Sequence, residues 1–260
     1  MSLKEFVGAT CIETVSGKII DLANPQVSDI SITDIAWALS RIGRFGGHSM
    51  FLLPYSVAQH TVQVSRYVEE ALIEGTPVNA MLNRFIDSQL SESVLSDVSI
   101  KAEDNHALQV WGDRQSTLRL YLDDHKRKQI TLHALMHDFA EAYLIDIPTP
   151  VKRLPGIYEA YRAAEEKVDL VIFKTLGLGY ADKWPGDRDF GEFVVKWADM
   201  LALKVEAYHL MPSRGMSWNL PLEAPDVDML RAFTPPLPSE QAYKELLVRY
   251  NELKPAPEVY

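Results

Sequence analysis

Apolar residues recur every three or four positions along most of this chain and alternate only near its start. The alternation from Cys11 to Ile20, broken at Ser16-Gly17, predicts a small β-hairpin, and Leu22 to Gln26 follows as loop. Ser31 or Thr33 can cap a helix carrying Ile35, Ala36, Leu39 and Ile42, which Gly43 ends. After a glycine-marked loop, Arg44 to His48, Pro54 opens a helix that runs to about Gly75; its valines form one buried stripe only approximately. Met81 to Leu90 marks another helix, and the polar run Ser91 to Asn105 reads as loop. Leu118 to Asp123 reads as a helical turn. Strong helical patterns cover His125 to Leu144, Ile157 to Leu176 and Phe190 to Leu210. Pro148 and Pro150 close the first of these, and Gly177-Leu178-Gly179 the second. Pro212 to Pro238 is proline-dotted and irregular, and Ser239 caps a final helix, Glu240 to about Leu253. The pattern predicts a mostly α fold with one core and a small N-terminal β-hairpin.

Bulk properties narrow the function. The chain has 260 residues, 47% of them hydrophobic, enough for one large core. Its 36 acidic and 26 basic residues give a net charge of −10, which argues against a duplex nucleic acid partner. A small anionic substrate stays compatible, because a bound cation reverses the field within one pocket. The single cysteine, Cys11, allows no intramolecular disulfide and no cysteine-based zinc site. No stretch approaches the roughly 20 apolar residues that span a bilayer, and the first residues lack a signal-like apolar run. The expectation is a cytoplasmic protein with no membrane partner.

The chemistry concentrates in the run His133-Ala134-Leu135-Met136-His137-Asp138-Phe139-Ala140-Glu141. On one continuous helix His133, His137 and Glu141, four apart, form a stripe. His60 lies upstream and Asp199 downstream, each on its own predicted helix. Two imidazoles and two carboxylates suit a borderline divalent ion, and facing helices of a bundle can converge on one. Asp199 sits in the apolar run Trp197 to Leu203, where burying an unpaired carboxylate is costly. His133 is expected to be structural or to support the ligands from just outside them.

The order His60, His137-Asp138, Asp199 resembles the signature of the HD superfamily of metal-dependent phosphohydrolases. The likeness extends to Ala38 to His48, Tyr55 to His60, His137 to Tyr143 and Asp146 to Lys152, and so to one branch. That branch contains the bacterial deoxyribonucleoside 5′-monophosphatases and the phage deoxynucleoside triphosphohydrolases. The resemblance covers about 30–75 and 128–215 and implies an HD-type helical bundle over 1–260. About 75–128 reads as an insertion, serving oligomer contact, a lid, or no more than a surface excursion. Gln59 departs from the glutamate usual before that histidine; since that glutamate is not a ligand, the metal site is expected to survive.

The resemblance implies that His60, His137, Asp138 and Asp199 hold one divalent ion, with zinc, cobalt or manganese ahead of magnesium and a second ion left open. It implies attack at the phosphorus beside the 5′ oxygen of a (deoxy)nucleotide. Glu141 is the candidate to orient or deprotonate water, and Asp146 to protonate the leaving oxygen. Arg44 and Lys152 are candidates for phosphate, and Phe45 for the base or sugar. A homo-oligomer is expected. The competing readings are a cyclic-nucleotide or dinucleotide phosphodiesterase and a non-catalytic, metal-containing interaction protein.

Overall fold

The computed structural model describes residues 10–95, 123–178, 185–220, 222, 225 and 227–255. They form a mostly helical structure with a two-stranded antiparallel hairpin at the start, as the periodicity predicts. Strands β1 (Cys11–Glu13) and β2 (Ile19–Asp21) pair Cys11 with Asp21 and Glu13 with Ile19. Ile20 anchors β2 in the core, while Thr14 and Ser16 in the turn donate to Asp34 Oδ2 at 2.9 and 2.6 Å. Asp34 lies on α1 (Ile32–Leu39), so the hairpin is bonded to the first helix.

The centre of the molecule is α2 (Val57–Ala71). It packs against α3 (Pro77–Leu95), α4 (Asp124–Met136), α8 (Pro185–Leu210) and α10 (Ser239–Leu253). Gln59, His60, Thr61 and Ser65 are buried on it along with the valines, so its enclosure is not confined to one apolar stripe. One core cluster joins α1, α2, α4, α7 (Tyr158–Leu176) and α10 through Leu39, Val62, Leu135, Ile172 and Leu246. A second joins α2, α3, α4 and α8 through Val68, Leu82, Ala134, Trp197 and Leu201. Arg249 ties α10 to α2, donating to Ser65 Oγ at 3.0 Å and Glu69 Oε2 at 2.8 Å. Gln59, buried, accepts from Leu237 N and donates to Pro235 O, both at 3.0 Å. An amide fills both roles where a carboxylate could only accept.

Several predicted boundaries shift, each for a local reason. The helix expected to reach Ile42 stops at Leu39, and the one expected from Pro54 starts at Val57. Between them Gly43 and Ser56 pair as an extended bridge, with Arg44 N donating to Tyr55 O and Val57 N to Ile42 O. A Cβ on Gly43 would lie 3.0 Å from Pro54 Cβ, so a larger residue there would crowd the proline. The predicted helix from His125 to Leu144 is not continuous. It divides into α4 and the single turn α5 (Glu141–Leu144), because Phe139, Glu141, Ala142 and Tyr143 each donate three residues back rather than four. α3 continues to Leu95, through residues expected as loop, while 96–105 and 118–122 lie outside the described residues. α8 begins at Pro185 rather than Phe190, and the predicted irregular stretch holds a short helix, α9 (Val227–Arg231). Pro238 rather than Ser239 occupies the last helix's N-cap, its carbonyl accepting from Gln241 N and Ala242 N. No described helix is long and apolar enough to cross a membrane.

Candidate metal centre

Three helices bring the predicted ligands together. His60 stands in the first turn of α2, His137 at the C-terminal cap of α4 with Asp138 next, and Asp199 in the middle of α8. One nitrogen or oxygen from each of His60, His137 and Asp199 lies within 4.8 Å of the others. Asp138 Oδ2 is 3.4 Å from His60 Nε2 and 3.2 Å from His137 Nε2. Asp199 Oδ1 is 3.1 Å from His60 Nε2 and 3.9 Å from His137 Nε2.

The outer faces of the two imidazoles fix what the inner faces can do. His60 Nδ1 is 2.7 Å from Glu206 Oε1, and His137 Nδ1 is 2.8 Å from the Ala134 carbonyl. An ionised carboxylate and a carbonyl oxygen can only accept, so each Nδ1 is the donor. In the neutral rings each Nε2 then carries a lone pair pointing at carboxylate oxygens. Both Nε2 atoms are buried without a hydrogen-bond partner among the described residues. A lone pair facing an anion is repulsive unless a proton or a metal cation lies between. Burial and Arg44 oppose a proton on His60, yet Glu206 and Asp199 outweigh them and raise its pKa to about 9. The Asp138 carboxyl is held well below its usual range: burial works against this, and His137, His60 and Arg44 overcome it. Such a donor set, nitrogen and ionised oxygen with no sulfur, could hold a divalent ion. Asp199, with 40% of its side chain exposed, marks the open side.

Glu206 is the functional candidate that the sequence reading missed. It is 1% exposed, seven residues beyond Asp199 and so two turns along the same face of α8. One oxygen takes His60, and the other accepts from Arg44 Nε at 3.0 Å. Arg44 Nη1 also lies 3.6 Å from Asp138 Oδ2. Burial alone would lower the Arg44 pKa, but Glu206 and Asp138 raise it above its ordinary value. The signal was available: Glu206 lies between Val205 and Ala207, the same apolar setting that singled out Asp199.

Glu141 and Asp146 lie on the other side. Glu141 is 5% exposed, and its Oε2 has no hydrogen-bond partner among the described residues. Burial first, then Asp138 and Asp146, push its pKa well above the usual carboxyl range; burial also raises Asp146, against Arg44. Glu141 leaves the predicted stripe, because the tightened turns after His137 change the spacing, while His133 and His137 line the same cavity. His133 makes a T-shaped contact with Phe173, ring centroids 5.4 Å apart. Between Glu141 and Asp146 stands Ile145 at φ 67°, ψ 149°, a conformation rare outside glycine and costing on the order of 1–3 kcal/mol. Ile145 N donates to Glu141 O, and Tyr161 Oη donates to Ile145 O, both at 2.8 Å.

Of the remaining predicted residues, Phe45 adopts φ 59° and leans on Trp218, ring centroids 5.9 Å apart, with the Arg44 guanidinium 5.7 Å from its ring. Lys152 pairs with Glu165 at 3.4 Å and lies 4.4 Å from the centre of the Tyr161 ring. A cavity of about 740 Å³ opens between His137, Lys152 and α7.

No protein-family model matches the chain. It is similar to a protein of Escherichia coli (strain K12) named "Uncharacterized protein YfdR", with 29% identity over 242 residues. The likeness spans 93% of this chain and 94% of that one, so it extends well beyond the His and Asp motifs.

Proposed function

We propose that this protein is a cytoplasmic, metal-dependent phosphohydrolase of the HD superfamily, cleaving (deoxy)nucleotides at the 5′ phosphorus and so controlling a nucleotide pool. The reading covers a deoxynucleoside 5′-monophosphatase and a deoxynucleoside triphosphohydrolase, which break the same bond. The observation that carries it is the convergence of two unpaired, buried Nε2 atoms on two carboxylates, beside an arginine and a buried glutamate. A site that held metal only for structure would need neither Arg44 nor Glu141.

His60, His137, Asp138 and Asp199 would hold the ion, which when bound would neutralise phosphoryl charge and acidify a water. Arg44, kept charged by Glu206, offers its guanidinium to phosphate oxygens. Lys152, at the cavity edge, adds a second positive charge on that side. Glu141, with a raised pKa and an unpartnered oxygen, is suited to take a proton from the attacking water. The water oxygen bonds to phosphorus as the bond from phosphorus to the 5′ oxygen breaks, and the proton needed by that oxygen comes from Asp146. Positioning and charge neutralisation supply most of the rate in such a transfer.

The test is product analysis with the full set of ribo- and deoxyribonucleoside mono- and triphosphates, with manganese, cobalt, zinc or magnesium added. Release of phosphate or triphosphate together with a nucleoside supports the reading. Absence of turnover for every nucleotide with every ion removes it.

A further inference from the structure

One carboxyl near the centre has no part in the chemistry above. Asp169 lies on α7, facing the cavity that reaches His137, and its Oδ1 is buried without a hydrogen-bond partner among the described residues. Tyr161, Glu165, Asp169 and Phe173 are each four residues apart, so they form one stripe along α7, and all four line this cavity. Three of the four have partners within the protein. Tyr161 donates to Ile145 O, Glu165 pairs with Lys152, and Phe173 makes a T-shaped contact with His133. Asp169 Oδ1 has none.

The stripe shares its cavity with His137, a candidate metal ligand, and Tyr161 is bonded to the segment that carries Glu141 and Asp146. A phosphate held at the metal centre would therefore leave the remainder of the molecule beside the stripe. Flat aromatic faces beside hydrogen-bonding groups are how proteins commonly hold a nucleobase.

We propose that this cavity seats the nucleoside part of the substrate and that Asp169 hydrogen-bonds the edge of the base. The inference rests on the phosphohydrolase reading and adds the group that recognises the base. Burial first, then Glu165, raise the pKa of Asp169 to about 8, which keeps the carboxyl neutral at neutral pH. A neutral carboxyl offers one donor beside one acceptor. Every common nucleobase has an edge with that complementary pair, whereas a bare sugar phosphate has no such edge. Asp169 therefore distinguishes a nucleotide from other phosphate esters rather than one base from another.

Deoxynucleosides test this without turnover, since they carry no phosphate. Dissociation constants of the four deoxynucleosides and of 2-deoxyribose are measured by NMR titration on the manganese-free full chain, for the wild type and for Asp169→Ala and Asp169→Asn. The four nucleosides are expected to bind the wild type at least about tenfold more tightly than the sugar. Asp169→Ala loses about that factor for nucleosides alone, and Asp169→Asn, which keeps a donor and an acceptor, largely retains it. Chemical-shift changes at Asp169 with nucleoside and none with sugar give the same answer on the unaltered chain. Equal binding of sugar and nucleosides, or nucleoside binding indifferent to Asp169→Ala, overturns the proposal. Nucleotide hydrolysis with Asp169-independent binding would overturn this inference alone. Nucleosides bound through Asp169 without hydrolysis of any nucleotide would overturn the phosphohydrolase reading alone.

Discussion

The two sides of the candidate centre differ in how their buried polar groups are satisfied. On the side of α2 and α8, Glu206 uses both oxygens, one on His60 and one on Arg44, and Arg44 reaches on to Asp138. That side is a closed chain of charge-assisted contacts whose one open atom, His60 Nε2, faces the carboxylates. On the side of α5 and α7, Glu141 Oε2 and Asp169 Oδ1 are buried and unpartnered among the described residues, and Ile145 is held in a strained conformation. A fully bonded cluster fixes ligand geometry; unbonded buried groups and strain mark where something else completes the structure. On the proposed reading, the ligands would be held in place before an ion arrives, while the groups for water and substrate would become satisfied only on binding.

Removing a ligand should break the comparison most severely. His137→Ala and Asp138→Asn are expected to reduce bound metal from one equivalent to near none, by elemental analysis, and turnover by more than about a thousandfold. The dependence on pH comes next. In the metal-free protein the pKa of His60 is raised from 6.5 to about 9, so its stabilising proton is fully present below 6.5 and lost as pH rises through 9. Metal binding must expel that proton. Apparent affinity should therefore climb by up to about tenfold per pH unit across this window and then level off, as titration calorimetry would record. An affinity flat from pH 6 to 9 would count against His60 as a ligand.

Glu206→Gln probes the bonded side alone. It should weaken metal binding by about 10- to 100-fold, as loss of an outer carboxylate partner does, and raise KM because Arg44 loses its buried partner. Wild-type affinity in that variant would mean that the link from His60 to Arg44 is only packing. Tyr161→Phe probes the other side. It removes one hydrogen bond to Ile145, worth about 1 kcal/mol, and is expected to lower kcat severalfold with metal affinity unchanged. A Tyr161→Phe protein that loses metal would erase the distinction between the two sides.

Much of this architecture was readable in the chain. Helix periodicity located the long helices because their buried faces repeat strictly, as with Val168, Ile172 and Leu176 on α7. The four residues that converge, His60, His137, Asp138 and Asp199, were recognisable from residue type, order and resemblance. What escaped notice was three-dimensional. The turns after His137 tighten through three-residue hydrogen bonds, which no apolar spacing records, so Glu141 was misplaced on the predicted stripe. Glu206 carries no motif and acts only through contacts 146 and 162 residues away in the chain. The conformation of Ile145 is invisible in sequence, since an isoleucine gives no sign of positive φ. Phe45 was matched to the substrate, but Trp218, which packs on it, is far downstream.

Anomalous diffraction from crystals soaked in cobalt or manganese tests the central claim most directly. The account predicts a single strong peak within about 2.0–2.2 Å of both His60 Nε2 and His137 Nε2 and of one oxygen each from Asp138 and Asp199. A map without a peak among those four side chains, in crystals that take up the ion elsewhere, would contradict it.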